Sequence, residues 1–249
     1  MAKIPHARPM SRAPAGGPYR AVVTDIDGTL TDVDRRLDVR AIAAVRTLEA
    51  RGIPVILATG NVLPIALALH RSLGLSGPIV AENGGLLFYR SDGREVVEKL
   101  ADRRLALDGY RALVAAGLPV RRLFTDRWRE SEVALEPTVS VARIRRALGR
   151  RPVRAESTGY AIHLMERGAG KLPALRRALG PLGLTPADCV VLGDGDNDVQ
   201  MLRAAGFSVS FPSGSPRARA AVMYITRSRF AGGFVEGLMR IGVLPPVNP

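Results

Sequence analysis

The sequence is poor in cysteine. Among its 249 residues Cys189 is the only one, which excludes an intrachain disulfide and a metal site built from several thiolates. Cys189 begins the apolar run Cys189–Leu192. In such a run we expect a small buried side chain rather than a reactive thiol.

Long hydrophobic runs are also missing. No stretch approaches the ~18 consecutive apolar residues that a membrane span needs, although hydrophobic residues make up 47% of the chain and can form a large core. Residues 1–18 contain four prolines and no apolar segment of the signal-peptide kind. We therefore predict a disordered tail over residues 1–18, with Met10 as an alternative start, and a cytoplasmic protein with no membrane partner.

Lysine and aromatic residues are scarce. Arginine outnumbers lysine 33 to 3, the net charge is +13, and aromatic residues make up 5% of the chain. Positive charge favours anionic ligands, so both nucleic acids and small phosphates fit the composition. The Arg-rich segment 143–154 has no interleaved aromatic residues for base stacking, and we interpret it as a solvated helix face. We expect a small-molecule phosphate ligand and no nucleic-acid partner.

Two patterns of secondary structure divide the chain. In the first and last thirds, buried β-rich runs alternate with helical patterns, which predicts an α/β fold with a Rossmann-like parallel sheet core. Between them a hairpin signal is followed by mixed strands and helices, including a strand near 121–124, which predicts an inserted α+β cap domain. The predicted core domain covers residues 19–84 and 167–249, and the predicted cap domain covers residues 85–166.

Two acidic segments follow predicted buried strands. The first is Asp25-Ile26-Asp27-Gly28-Thr29, and the second is Gly193-Asp194-Gly195-Asp196-Asn197-Asp198. Carboxylates this close repel one another unless a cation or a shared proton offsets them, and oxygen ligands favour a hard cation such as Mg²⁺. An EF-hand loop is excluded because it would follow a helix and end in Glu, where this chain has Ala205.

Two further positions carry chemistry that suits phosphate. Thr59 and Gly60 follow the second predicted strand and offer a hydroxyl and backbone N–H groups, although an ordinary helix cap explains them equally well. Lys171 begins a predicted helix, where positive charge is disfavoured by the helix dipole. In a chain that otherwise uses arginine, a lysine there indicates a need for a compact ammonium group.

The order and spacing of these segments resemble the four motifs of the haloacid dehalogenase superfamily. Asp25-x-Asp27-Gly-Thr, Thr59, Lys171 and Gly193-Asp194-x-x-x-Asp198 match the motifs in sequence. The segment inserted between the second and third motifs is similar to the large α/β cap of the Cof-type branch. The resemblance covers nearly everything from about residue 20 to the end, and its first and fourth motifs are the most specific.

The resemblance implies a phosphatase that works through an aspartyl-phosphate. Asp25 would be the nucleophile, and Asp27 the general acid and base. The superfamily's dehalogenases have no such acid and base residue, so Asp27 favours phosphoryl transfer. Asp25, Asp194 and the backbone carbonyl of Asp27 would hold Mg²⁺, with Asp198 nearby or ligating through water. Thr59, Gly60 and Lys171 would bind the phosphoryl oxygens.

The predicted cap adds a closer resemblance. Residues 125–130 and 159–165 look like the corresponding segments of archaeal phosphoglycolate phosphatases, and Asn61 stands where many Cof-type proteins have Arg. The resemblance makes 2-phosphoglycolate the expected substrate, with Arg127 and Arg129 as candidates to pair with its carboxylate. His163 is expected to be a buried histidine with its hydrogen bonds satisfied.

Two alternatives stay open at this point. Within the superfamily, a sugar-phosphate phosphatase has the same type of cap. From a different class, a basic nucleic-acid-binding protein is supported by net charge alone, and its affinity would fall steeply with salt. A monomer and a homodimer fit the sequence equally.

Overall fold

The structure is a computed structural model that describes residues 19–158 and 160–245. The tail predicted over residues 1–18 lies outside the described residues. The main sheet has eight strands: β1 (Ala21–Thr24), β2 (Val55–Ala58), β3 (Ile79–Ala81), β4 (Leu86–Ser91), β5 (Arg94–Lys99), β9 (Cys189–Leu192), β10 (Phe207–Ser210) and β11 (Tyr224–Ile225).

The strand order of the main sheet is β11-β10-β9-β1-β2-β3-β4-β5. The first six strands in this order are parallel, so their carboxyl ends lie along one edge. Strand β1 is central, with Val23 in register with Ile56 of β2 and Val191 of β9. This arrangement confirms the predicted α/β class and places the segments that follow β1, β2 and β9 beside one another.

Helices cover both faces of the main sheet. Their bounds are α1 (Val39–Ala50), α2 (Leu63–Leu73), α5 (Lys171–Leu179), α6 (Val199–Ala204), α7 (Pro216–Arg219) and α8 (Phe230–Arg240). Because side chains alternate along a strand, Val22 of β1 packs with α1, α2 and α8, whereas Ala21 and Val23 pack with α5, α6 and α7. Each face therefore has its own apolar layer, and the sheet is buried on both sides.

The predicted boundary of the cap needs a correction at its start. The hairpin β4–β5 was expected to open the cap domain, but β4 pairs antiparallel with β3 and extends the main sheet. The apolar side chains of Leu86, Leu87 and Phe88 explain this, because they are buried in the layers of the main sheet. The division of the remaining chain into core and cap stays a prediction.

A second, smaller sheet has the strand order β6-β8-β7 and is antiparallel. Its elements are α3 (Arg103–Ala115), β6 (Val133–Leu135), α4 (Val141–Leu148), β7 (Val153–Ser157) and β8 (Ile162–Glu166). The two helices and three strands share a separate apolar cluster that includes Leu113, Ile144 and Leu164. The α+β character predicted for this segment is therefore observed.

One predicted strand of the small sheet is wrong. Residues 121–124 form a single bridge, between Arg122 and Leu135, and the chain then turns into a 3₁₀ helix over Phe124–Trp128. The carboxylate of Asp126 accepts a hydrogen bond from the backbone N–H of Ala134, at 2.7 Å, which fixes this turn against β6. Among the described residues, every helix is too short or too polar to cross a membrane.

Candidate active site

The two acidic segments meet at the carboxyl ends of neighbouring strands. Asp25 follows β1 and Asp194 lies just beyond β9, and these strands pair along their whole length. Gly28 makes the close approach possible: its φ of 77° is in the left-handed region, and a β-carbon there would overlap the carboxylate of Asp194. The first and last sequence motifs therefore form one site.

Lys171 connects these acidic groups. Its Nζ donates hydrogen bonds to Oδ1 of Asp25 at 2.7 Å and to Oδ1 of Asp198 at 2.6 Å. The lysine is 2% exposed and Asp198 is fully buried. A buried ammonium at the first residue of α5 is stabilised by these two carboxylates, which offset its desolvation and the unfavourable helix dipole. We call Asp25, Lys171, Asp194 and Asp198 the nucleophile cluster, after the role that the motif resemblance implies for Asp25.

The nucleophile cluster has the donors of a divalent-cation site. Carboxylate oxygens of Asp25, Asp194 and Asp198 all lie within 4.8 Å of one another. The other oxygen of Asp198 accepts the backbone N–H groups of Asp194 and Gly195 at 3.1 and 2.9 Å, so its position is fixed. The cluster offers oxygen donors and has three carboxylates against the single ammonium group of Lys171, which fits the binding of Mg²⁺. The side chain of Asp27 is not part of this set.

Electrostatics show that this cluster lacks positive charge. Burial, together with Asp198 and Asp194, raises the pKa of Asp25 well above its usual value although Lys171 opposes the shift. Burial and Asp198 raise the pKa of Asp194 to about 7. Burial acts to lower the pKa of Lys171, but Asp198 and Asp25 outweigh it and the pKa is raised. Asp25 and Asp194 therefore bind protons more readily than ordinary carboxylates do, because positive charge is favoured at this position, and a metal cation would supply it.

Asp27 faces a cavity of about 140 Å³ beside the cluster. Its Oδ2 accepts a hydrogen bond from Nδ2 of Asn61 at 2.7 Å, which orients the carboxylate. Asp25, Asp194 and Gly60 line the same cavity. Thr59 does not line it. The Thr59 hydroxyl is buried and accepts the backbone N–H of Asn61 at 3.0 Å.

The segment between the 3₁₀ helix and strand β6 contributes a buried arginine to this cavity. Arg129 is 5% exposed, and its Nη1 donates to the carbonyl oxygen of Gly60 at 2.9 Å and forms an ion pair with Glu132. Its Nε is buried and has no hydrogen-bond partner among the described residues. His163 lines the cavity as well, and its Nδ1 lies 2.9 Å from Glu132. We call Arg129, Glu132 and His163 the guanidinium cluster.

The guanidinium cluster is balanced. Burial acts to raise the pKa of Glu132, but His163 and Arg129 outweigh it and hold this pKa at about 2. Asn83 also donates to Glu132, at 3.1 Å, and accepts from Asn197 at 2.9 Å. Glu132 and Asn83 were missed in the sequence. Asn83 follows the third parallel strand, so the rule that ligands bind at strand ends would have found it, whereas no sequence signal marks Glu132.

Arg127 lies outside the cavity. It is exposed, and its guanidinium stacks 4.2 Å from the ring centre of Phe124. The reason is the 3₁₀ helix over Phe124–Trp128, which turns Arg127 towards solvent, whereas Arg129 follows this helix and points inward. The structure therefore brings only one of the two expected carboxylate-binding arginines to the site. His163 is 3% exposed, as expected.

Comparison with known proteins agrees with this geometry. A family model described as haloacid dehalogenase-like hydrolase matches residues 22–124 and 138–238. The chain belongs to the haloacid dehalogenase-like hydrolases. The match covers nearly all of the main sheet, strands β7 and β8 of the small sheet and all residues of the nucleophile cluster, whereas strand β6, Arg129 and Glu132 lie between the two matched segments.

Individual haloacid dehalogenase-like relatives align over most of the chain. A protein of Methanothermobacter thermautotrophicus named phosphoglycolate phosphatase is 36% identical, over 89% of this chain and 98% of its own length. One of the same name from Methanopyrus kandleri is 38% identical, over 76% of this chain and 82% of its own. The crystal structure of a Thermoplasma acidophilum protein superposes with a TM-score of 0.82 and 26% identity, over 91% of this chain and 99% of that one.

Proposed function

We propose that the chain is a Mg²⁺-dependent phosphatase that hydrolyses 2-phosphoglycolate to glycolate and phosphate. One observation carries the proposal: Asp25, held by Lys171 at 2.7 Å, faces a small cavity whose other wall contains the buried Arg129. A nucleophile and a fixed cation across a small space suit a substrate with a phosphate at one end and a carboxylate at the other. The names of the archaeal relatives support the same substrate.

Hydrolysis would proceed in two displacements. In the first, an oxygen of Asp25 bonds to phosphorus, the ester P–O bond breaks, and Asp27 gives a proton to the departing alkoxide. In the second, Asp27 takes a proton from water, the water oxygen bonds to phosphorus, and the bond to Asp25 breaks. The 2.7 Å hydrogen bond from Asn61 keeps Asp27 oriented in both steps.

Positive charge must offset the carboxylates before a phosphate can approach. A bound Mg²⁺, held by Asp25, Asp194 and Asp198, would supply that charge and stabilise the negative charge of the transition state. Lys171 keeps Asp25 and Asp198 in place through its two hydrogen bonds. Because Lys171 is buried and fully charged, it also provides a fixed positive potential at the phosphate position.

The size and charge of the cavity favour a small acid over a sugar phosphate. Its volume of about 140 Å³ lies below the roughly 300–1,000 Å³ typical of sites for drug-sized ligands. Nε of Arg129 has no hydrogen-bond partner among the described residues, and Glu132 and the carbonyl oxygen of Gly60 both bind its Nη1. A carboxylate beside the scissile phosphate would complete the hydrogen bonding of this group.

A substrate screen tests the proposal. We expect hydrolysis of 2-phosphoglycolate with a kcat/KM at least about tenfold above those of hexose phosphates, abolished by EDTA and restored by Mg²⁺. Asp27→Asn should slow 2-phosphoglycolate more than p-nitrophenyl phosphate, whose leaving group needs little protonation. A preference for hexose phosphates would contradict the assignment of 2-phosphoglycolate as the substrate. Activity that survives EDTA would contradict the dependence on a metal ion.

A further inference from the structure

A second cavity lies on the other side of the nucleophile cluster. Its volume is about 340 Å³, and Lys171 lines it, whereas the partner of Lys171, Asp25, lines the first cavity. Asn197 lines both. The buried ion pair between Lys171 and Asp25 therefore separates the two spaces, and the proposed hydrolysis makes no use of the second one.

Arginine dominates the wall of this second cavity. Arg145 of α4 and Arg154 of β7 come from the small sheet and its helices, and Arg203 of α6 and Arg217 of α7 come from the main sheet layer. The acidic side chains in the wall are Glu156 and Asp196, which leaves an excess of positive charge. Like charges that face each other from two parts of the fold repel unless an anion lies between them.

The arginines differ in how far their donors are used. Arg154 pairs with Glu156, and Arg217 pairs with Asp196 at 3.0 Å. Arg203 forms no ion pair among the described residues. Arg145 forms none there either, and only its Nε is used, donating to the carbonyl oxygen of Ala155 at 2.9 Å. Each side of the cavity therefore contributes one guanidinium group with donors to spare.

We propose that this cavity is a second anion site, which binds a tetrahedral dianion such as phosphate or sulfate between Arg145 and Arg203. Guanidinium groups donate paired N–H groups to such oxygens, and a dianion between them cancels their mutual repulsion. Strand β7 lies against the turn Asp196–Asp198, so a bound anion would join the small sheet to the loop that carries Asp198. The Arg-rich segment 143–154 thereby gains a specific role at Arg145.

Sulfate binding to the full-length protein tests this site, measured by equilibrium dialysis at constant ionic strength. We expect the wild type to bind sulfate. Arg203→Gln and Arg145→Gln should each lower the affinity for sulfate at least about tenfold, because each removes charge-assisted hydrogen bonds. Arg203 is exposed, so its replacement leaves the packing intact. Arg146→Gln is the matched control: Arg146 is an exposed arginine of α4 that does not line the cavity.

Two results would overturn the proposal. One is that the wild type binds no measurable sulfate, or binds sulfate with an affinity that neither Arg203→Gln nor Arg145→Gln weakens. The other is a loss of sulfate affinity in Arg146→Gln as large as that in the two cavity variants, which would mean that net charge, and not this cavity, determines the binding. Because dialysis requires no turnover, either result would leave the proposed phosphatase activity untouched, and absence of that activity would leave this site untouched.

Discussion

The nucleophile cluster and the guanidinium cluster face the same cavity, yet their charges are balanced differently. The first has three carboxylates, of Asp25, Asp194 and Asp198, against one ammonium, and the pKa of Asp194 is raised to about 7. The second has one carboxylate against Arg129 and a histidine, and the pKa of Glu132 is held at about 2. The nucleophile cluster therefore has an excess of negative charge that an added cation would offset, whereas the charges of the guanidinium cluster are offset within the protein.

This difference assigns different work to the two sides. A site with an excess of negative charge attracts a divalent cation, and a bound cation would in turn attract a phosphate. A balanced site keeps one arginine fixed before the substrate arrives, which lowers the entropy cost of binding a carboxylate. Substitutions in the nucleophile cluster should therefore affect every phosphate ester, and those in the guanidinium cluster should affect only substrates with a carboxylate.

The largest effect is expected for Asp25→Asn. The amide is nearly isosteric but cannot attack phosphorus, so kcat should fall by a factor on the order of 10⁴ or more with both 2-phosphoglycolate and p-nitrophenyl phosphate. Steady-state kinetics on both substrates measure this. Asp108→Asn, at an exposed carboxylate of α3, is the control and should behave as wild type. Substantial turnover by Asp25→Asn would remove Asp25 from the nucleophile role.

Lys171→Arg should be the next most damaging change, with a loss of roughly a thousandfold in kcat/KM on both substrates. The space around Lys171 fits an ammonium at 2.7 and 2.6 Å from two carboxylates, and a planar guanidinium is too large for it. Lys99→Arg provides the matched control, because Lys99 is 59% exposed. Near-normal activity of Lys171→Arg would show that a compact ammonium is not required.

Arg129→Ala should lower kcat/KM much more for 2-phosphoglycolate than for p-nitrophenyl phosphate. For 2-phosphoglycolate we expect a loss of roughly a hundredfold in kcat/KM, about 2.7 kcal/mol, because the variant removes the buried partner of the carboxylate. For p-nitrophenyl phosphate, which has no carboxylate, the loss should be below about tenfold. Arg127→Ala is the control, since Arg127 is exposed and stacked on Phe124. An unchanged ratio between the substrates in Arg129→Ala would mean that the guanidinium cluster does not bind the carboxylate.

The sequence predicted that the residues of the nucleophile cluster lie together, because local rules determine their positions. Buried runs ending in acidic segments define the strand ends, and the parallel order of β9, β1 and β2 brings those ends together. The scarcity of lysine singled out Lys171, which the structure places between Asp25 and Asp198. Hydrophobic periodicity, the ends of strands and the scarcity of a residue type can all be recognised in the amino-acid sequence alone.

The guanidinium cluster was predicted poorly because it depends on long-range contacts. The direction of Arg129 is set by the carbonyl oxygen of Gly60, 69 residues away, and His163 reaches Glu132 across 31 residues. The 3₁₀ turn that separates Arg127 from Arg129 was not predicted, and it follows the single bridge that stands where a strand was expected over residues 121–124. The hairpin β4–β5 was misassigned for the same reason: its sequence fixes the turn, whereas its pairing with β3 is tertiary.

The smallest effect should come from acid titration of the guanidinium cluster. Because the pKa of Glu132 is depressed from 4.5 to about 2 on folding, its ionised form stabilises the protein above pH 4.5. That contribution is lost as the pH falls from 4.5 towards 2, and by pH 3.5 the loss should be on the order of 1 kcal/mol in the free energy of unfolding.

Urea unfolding between pH 6 and pH 3.5 measures this loss. Glu132→Gln cannot lose it, so its stability should fall less over the same range than that of the wild type, although it starts lower because Arg129 loses its buried partner. Glu130→Gln, at a carboxylate that is 50% exposed, should keep the wild-type dependence on pH. Parallel curves for the wild type and Glu132→Gln would mean that Glu132 is not held ionised, and the contrast between the two clusters would fail.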